Sequence, residues 1–360
     1  MQRNKISFKG QKIFVGIDVH KDSWRVAIAP EVGVIKGHSQ NPSAQELFDF
    51  LNKHYPDGDY LAVYESGFSG FSTYYALETV GIACLVIHAA DVPTSQYDEV
   101  MKTDKVDATK LVKSLKSGLL KGIYIHKKAD LDARAVIRLR KTIQKQLGGY
   151  KSRVKHLLYN NGVQLPEKYS KPGMCWSRAF IKWLKEDVVL LSSTRDSLDL
   201  LIDQVESIRN VLLNATRKVR KLSNTERYKT NIELLTSIPG IGVNGAMGLL
   251  TEIGDVKRFH KETEFASYLG LIPTSHSSGD KIIYGEKTFR GNKEMGPQII
   301  EAAWVAISRD RGLGCAYTHY KKKMIPQKAI IRVARKLSNI ILAVLKTGKK
   351  YETYQWNEIQ

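Results

Sequence analysis

The chain has 360 residues, 42% of them hydrophobic, and 56 Lys and Arg stand against 36 Asp and Glu, a formal net charge of +20. At about 150 residues per domain this predicts two or three domains with real cores, not a disordered chain. Three scattered cysteines (Cys84, Cys175, Cys315) exclude a disulfide scaffold or a cysteine-rich zinc module, and no apolar run approaches the ~18 residues that cross a bilayer. The basic N-terminal stretch lacks the apolar core of a signal peptide. The expectation is a soluble cytoplasmic protein without a membrane partner. Its excess positive charge suits a polyanion, because each neutralised phosphate releases a counterion.

Residues 12–125 alternate between strand and helix patterns. KIFVGIDV (12–19) is an apolar, β-branched run, WRVAIA (24–29) alternates with period two, and VGVIKG (32–37) reads as a third strand of an antiparallel meander. A helix follows Pro42, capped by Ser43 and carrying Leu47, Phe50 and Leu51. Then come a strand at 60–65, a Gly/Ser-rich turn at 66–70 leading into a helix, a strand at 83–88, and a helix from Asp104 to Ser117. Three meandering strands followed by helix–strand alternation predict an α/β sheet of mixed strand direction.

From 129 to 222 the period changes. Val136, Leu139, Ile143, Leu147, Tyr150, Val154 and Leu157 recur every three or four residues, and Leu198, Leu201, Val205, Ile208, Leu212, Ala215, Val219 and Leu222 hold a 3–4 alternation for seven steps. This predicts two long antiparallel helices, joined through residues 161–166 and a shorter helix, with a coiled-coil seam within one chain or between chains. Residues 230–350 form a third, Gly-rich and basic stretch: helix, tight turn and helix over 234–254, a loop over 268–279, and a basic helical tail.

Several residues in this pattern can carry chemistry. Asp18 and Glu65 each close an apolar strand, and Asp104 and Asp107 are three apart at a helix start, on one face. Each alone is a turn or capping acid. Together they can converge at one sheet edge, where carboxylates repel unless a hard divalent cation, Mg²⁺ foremost, sits between them. A two-ion site of that kind serves phosphoryl transfer. IPGIG (238–242) reads either as a tight helix–helix turn or as a helix-hairpin-helix whose Gly240 and Gly242 let a phosphate approach the backbone. Serines in TSHSSGDK (274–281) are turn residues or a nucleophile. Lys328, Arg332 and Arg335 flank an apolar stripe, giving a solvated basic face or a phosphate-binding one.

FVGIDVHK (14–21), VYESGFSG (63–70) and KTDKVDATKL (102–111), then IPGIG, FASYLGLIPTSHSSG (265–279) and RGNKEMGPQIIEAAW (290–304), resemble the DEDD-type transposases of the insertion-sequence-110 family, relatives of the Piv DNA invertases. The resemblance spans roughly residues 12–350. It implies a RuvC-like, RNase H-type domain at 1–127, a coiled-coil segment at 128–228 and a mainly helical C-terminal transposase domain at 229–360. It implies that Asp18, Glu65, Asp104 and Asp107 hold Mg²⁺ and that Ser278, with Ser277 as its neighbour, forms a phosphoserine with DNA. It further implies double-stranded DNA partners, a structured guide RNA made by the element, and a dimer or tetramer. Arg290 and Asn292 fall in the family's GN motif and are expected to contact nucleic acid. The sequence departs from the family's pattern where Met295 and Gly296 occupy a region expected to hold an arginine. The other classes compatible with the same residues are a RuvC-like metal-dependent nuclease, such as a junction resolvase, and a non-catalytic nucleic-acid-binding protein. No GxxxxGK[ST] loop is present, consistent with chemistry that needs no ATP.

Overall fold

The computed structural model describes residues 7–93, 104–171, 174–278, 281–287 and 291–353, with 104–105, 273–278 and 281–287 described by their backbone. The chain forms two compact units, Met1–Ile125 and His126–Gln360.

The first unit is a five-stranded sheet covered on both faces. Its strands are β1 (Lys12–Val19), β2 (Trp24–Pro30), β3 (Lys36–Gln40), β4 (Asp59–Glu65) and β5 (Ala83–Ile87), and its helices are α1 (Ala44–His54), α2 (Ser72–Thr79) and α3 (Asp104–Lys116). The sheet order is β3-β2-β1-β4-β5. The first three strands run antiparallel, and β4 and β5 run parallel to β1. The mixed sheet read from the sequence is therefore present. The third strand is displaced from its expected place: Val32 and Val34 are 87% and 80% exposed, and pairing with β2 begins at Lys36 opposite Ile28. Their apolar alternation belongs to a connection, while the true edge strand is the polar KGHSQ. Ser43 caps α1 as expected, its Oγ accepting from Glu46 N at 3.2 Å.

Strand periodicity assigns the two faces. Ile13, Val15 and Ile17 face Leu47 and Leu51 of α1 and Leu77 of α2. Phe14, Ala27, Ala29, Val63 and Ile87 face Ala108, Leu111, Val112 and Leu115 of α3. At the middle of this second face stands Gly16. A Cβ there would lie 2.4 Å from Ala108 O and 2.7 Å from Val112 N, so α3 rests directly on the β1 backbone. Lys116 Nζ donates to Pro30 O at 3.1 Å, and Pro30 lies opposite Ile13 at the start of β1. Helix α3 thus runs antiparallel to β1 and begins over the end of the strand that carries Asp18.

Among its described residues the second unit is helical apart from one hairpin. Helices α4 (Lys128–Asn160) and α6 (Ser192–Ser223) form a long antiparallel pair, with α5 (Arg178–Glu186) between them in sequence. Arg140 near the start of α4 donates from Nε to Thr216 Oγ1 near the end of α6 at 2.9 Å. At the far end, Val154 and Leu158 meet Leu198, Ile202 and α5's Phe180 and Leu184. The expected seam is realised within one chain: Leu157 and Leu201 pack against it half-buried, and their neighbours Leu158 and Ile202 are its fully buried positions. Leu139 is 58% exposed. Midway along α4, Gly148 and Gly149 are exposed, and a Cβ on either would meet nothing within 4 Å.

At the near end, α7 (Lys229–Thr236), α8 (Val243–Ile253), α9 (Glu262–Tyr268), α10 (Met295–Arg309), α11 (Arg311–Lys321) and α12 (Pro326–Thr347) build one core around Met247, Leu250, Phe265, Ile299, Leu337 and Ile341. Strands β6 (Pro273–Ser278) and β7 (Lys281–Lys287) form an antiparallel hairpin. The small-residue stretch expected to be a loop is therefore a strand. TSHSS lacks an apolar alternation of its own and takes its pairing from the partner run KIIYGEK. We expect Gly16→Val to destabilise the first unit by about 1–3 kcal/mol, because overpacking forces α3 off the sheet. A lowered midpoint in chemical denaturation checks this.

Candidate functional site

The sheet register places two expected carboxylates together. Ile17 pairs with Tyr64, so Asp18 and Glu65 are the next positions on neighbouring parallel strands. Glu65 pairs with Ile87, which faces α3, and Asp18 shares the even-numbered face with Phe14 and Gly16. Both therefore lie at one sheet edge, on the face that α3 covers. Asp104 opens α3 and Asp107, half-buried, follows one turn later, next to the Ala108 carbonyl that rests on Gly16. His20 Nε2 lies 3.0 Å from Asp18 Oδ2. The chemistry of this set is that of hard oxygen donors. Among the described residues no three His, Cys, Asp or Glu side chains stand close enough to hold one metal ion, a census that leaves out the Asp104 side chain.

The remaining expected site residues belong to the second unit. Ser278 ends β6 and pairs with Lys281, with Ser277 opposite Ile282. Gly240 has φ +89°, and a Cβ there would stand 2.2 Å from Ala302 O of α10, so packing alone requires this glycine. Gly242 is the exposed N-cap of α8, with open space where a Cβ would be and no side chain capping the helix. Arg290 lies outside the described residues. Asn292 is spent inside the protein. Its Nδ2 donates to Glu252 Oε2 (3.0 Å) and Tyr268 Oη (2.9 Å), and its Oδ1 accepts from the backbone of Glu294 and Met295 at the start of α10. Both amide protons are used, so the side chain keeps no donor for a phosphate. Met295 is core-buried, which explains why this position holds no arginine. Lys328, Arg332 and Arg335 follow one exposed face of α12, and the Arg332 guanidinium lies 5.6 Å from the Tyr320 ring centre.

Sequence reasoning passed over a buried and heavily bonded charge in this unit. Glu252 of α8 is 2% exposed. Arg138 of α4 grips its carboxylate with both Nε (2.7 Å) and Nη2 (3.0 Å), and Arg134 Nη1 lies 3.7 Å away. Burial alone would raise the Glu252 carboxyl, but the bonds from Arg138 and Asn292 and the two guanidinium charges outweigh it and hold the group below the usual carboxylate range. His126 is buried beside the same cations, and burial, then Arg134 and Arg258, push its pKa down to about 4. Nearby, Arg227 clasps Asp130 at 2.9 and 2.7 Å. The available signal was a lone glutamate inside the otherwise apolar run GLLTEI.

Comparison with known proteins adds a lineage to this geometry. Residues 232–318 match the family described as Transposase IS116/IS110/IS902. The transposase of insertion sequence element IS1533 from Leptospira borgpetersenii is 24% identical over 258 residues, 69% of this chain and 71% of that protein. The 43.6 kDa protein of insertion element IS110 from Streptomyces coelicolor is 30% identical, over 47% of this chain and 42% of its own length. The pilin gene-inverting protein of Moraxella bovis is 32% identical over 134 residues, 36% of this chain and 41% of its own. Over these spans the chain is similar to insertion-sequence transposases of the IS110 family and to a DNA-inverting relative of them.

The His126 environment has a measurable consequence. The unfolded imidazole takes a proton near pH 6.5, whereas the folded one stays neutral down to about 4. The stability it contributes is whole above pH about 6.5 and is lost as pH falls toward 4. We expect urea denaturation to show this decline, and His126→Gln to flatten it.

Proposed function

We propose that this protein is a DNA recombinase that cuts and rejoins strands through a phosphoserine, using a carboxylate site on the first unit. The observation that carries the reading is the register of β1 and β4, in which Asp18 and Glu65 each follow the paired Ile17 and Tyr64 on one face of the sheet, with Asp104 and Asp107 in the first turn of α3, which begins over that end. The order β3-β2-β1-β4-β5, with three antiparallel strands and two parallel, supports a RuvC-like, RNase H-type domain. Asp18, Glu65, Asp104 and Asp107 would hold Mg²⁺, and when bound the ion supplies charge stabilisation at a scissile phosphate. In the reaction, Ser278 Oγ gives up its proton and attacks phosphorus. The Ser–O–P bond forms, the P–O3′ bond breaks, and the departing 3′ oxygen is protonated. A 3′-hydroxyl of a second duplex then attacks the phosphoserine, restoring the serine and conserving the phosphodiester energy without ATP.

The exposed Lys328, Arg332 and Arg335 face supports backbone contact, as does the open N-terminus of α8 behind Gly242. Choice of sequence would rest with a structured RNA made by the element, paired to donor and target DNA. Assembly into a dimer or tetramer is supported by apolar side chains left exposed on the long helices, among them Leu139, Leu200 and Leu213.

With Mg²⁺, the co-expressed RNA and end-labelled junction DNA, a labelled band at protein mass should survive denaturing detergent. It should be lost in Ser278→Ala and in Asp18→Asn. Cut DNA without that band would replace this reading with a water-using nuclease. Changing Lys328, Arg332 and Arg335 together to Gln should weaken DNA binding for all sequences alike. The slope of log affinity against log salt should drop by about 0.9 per lost phosphate contact.

A further inference from the structure

The hairpin β6–β7 leaves the helical core between two points that touch. A Cβ on Gly291 would stand 2.3 Å from Gly270 Cα and 2.5 Å from its nitrogen, so the chain before the hairpin and the chain after it meet backbone to backbone. Next to this contact, Asn292 N donates to Tyr268 O at 2.6 Å. The Asn292 amide donates to Tyr268 Oη and to the Glu252 carboxylate, while Tyr268 Oη donates to the Glu252 carbonyl at 2.7 Å. The root of the hairpin is thus bonded on both sides to one residue. That residue is held from behind by α4, through the two-pronged grip of Arg138. One turn along the same face of α4, Lys141 Nζ reaches the Glu294 carboxylate at 2.6 Å and its carbonyl at 2.9 Å, just past the returning chain.

An ion pair with a buried carboxylate is a poor way to gain stability, since desolvating that group cancels most of the attraction and an apolar pair of the same size serves as well. An apolar pair could not bond three separate segments at fixed angles. The planar guanidinium orients the carboxylate, and the carboxylate orients the asparagine that closes the root. We propose that Glu252 is a positioning residue: locked by Arg138 of α4, it fixes the direction in which the β6–β7 hairpin leaves the core, so that hairpin and long helix move as one body. The consequence for chemistry rests on the reading that Ser278 of this hairpin attacks DNA.

Hydrogen exchange of the full-length protein tests the mechanical claim without any reaction. In Glu252→Gln and in Arg138→Lys, amides of 273–287 should exchange at least tenfold faster than in the unaltered protein, while protection along α4 and α6 stays unchanged. Arg138 is half-exposed, so its conservative variant carries the test if Glu252→Gln does not fold. Hairpin exchange within twofold of the unaltered protein in a folded variant would overturn the proposal. In the joining assay, the single-turnover rate of adduct formation should fall at least tenfold with DNA affinity within twofold. A fall in affinity with the rate intact would equally overturn it. If the unaltered protein forms no serine adduct, the catalytic reading fails, and the exchange result still decides the positioning claim.

Discussion

A carboxylate taken out of water must be met by donors on every side, and in the second unit Glu252 imposes that demand. Arg138 from α4 and Asn292 from just before α10 donate to the carboxylate, and Tyr268 at the end of α9 donates to the carbonyl of the same residue, so three segments are placed by one residue. Removing a single partner would leave charge stranded in low dielectric, a cost of several kcal/mol. The apolar residues around it could pack in many ways. The hydrogen bonds admit one.

The first unit turns on a missing side chain. Because residue 16 is glycine, α3 settles against the strand backbone, and the antiparallel course of the helix brings its beginning over the strand's end. The register of two parallel strands places Asp18 beside Glu65. That Asp18, Glu65 and the start of α3 share one end of the sheet therefore follows from backbone geometry.

The parts legible in the sequence were those with local causes. Apolar alternation marked β1, β2 and β4, a serine before an acidic first turn marked α1, and a long period of three and four marked the paired helices. Where the cause was distant, reading by pattern failed. The valines at 32 and 34 alternate like a strand but have no partner, while the plain KGHSQ gains one from β2. The serine-rich segment looked like a loop because its strand character comes from β7. In sequence Gly240 suits a tight helix–helix turn and a phosphate-binding one alike, and Ala302, 62 positions on, occupies the space a side chain there would need. Glu252 and Arg138 are 114 residues apart, a separation at which no spacing rule speaks.

One feature of α4 has a mechanical side. A helix of this length spans about 50 Å. Its two adjacent glycines give up about 1 kcal/mol each of helix propensity relative to alanine, and no neighbour fills the space their side chains would take. They fall between the stretch that grips Glu252 and the stretch that packs against Phe180 and Leu198. The glycine pair is therefore the point of α4 least supported by its own propensity, and it lies against a partner helix that has no glycine. Any bend of α4 is cheapest there, and the grip on Glu252 lies wholly to one side of it.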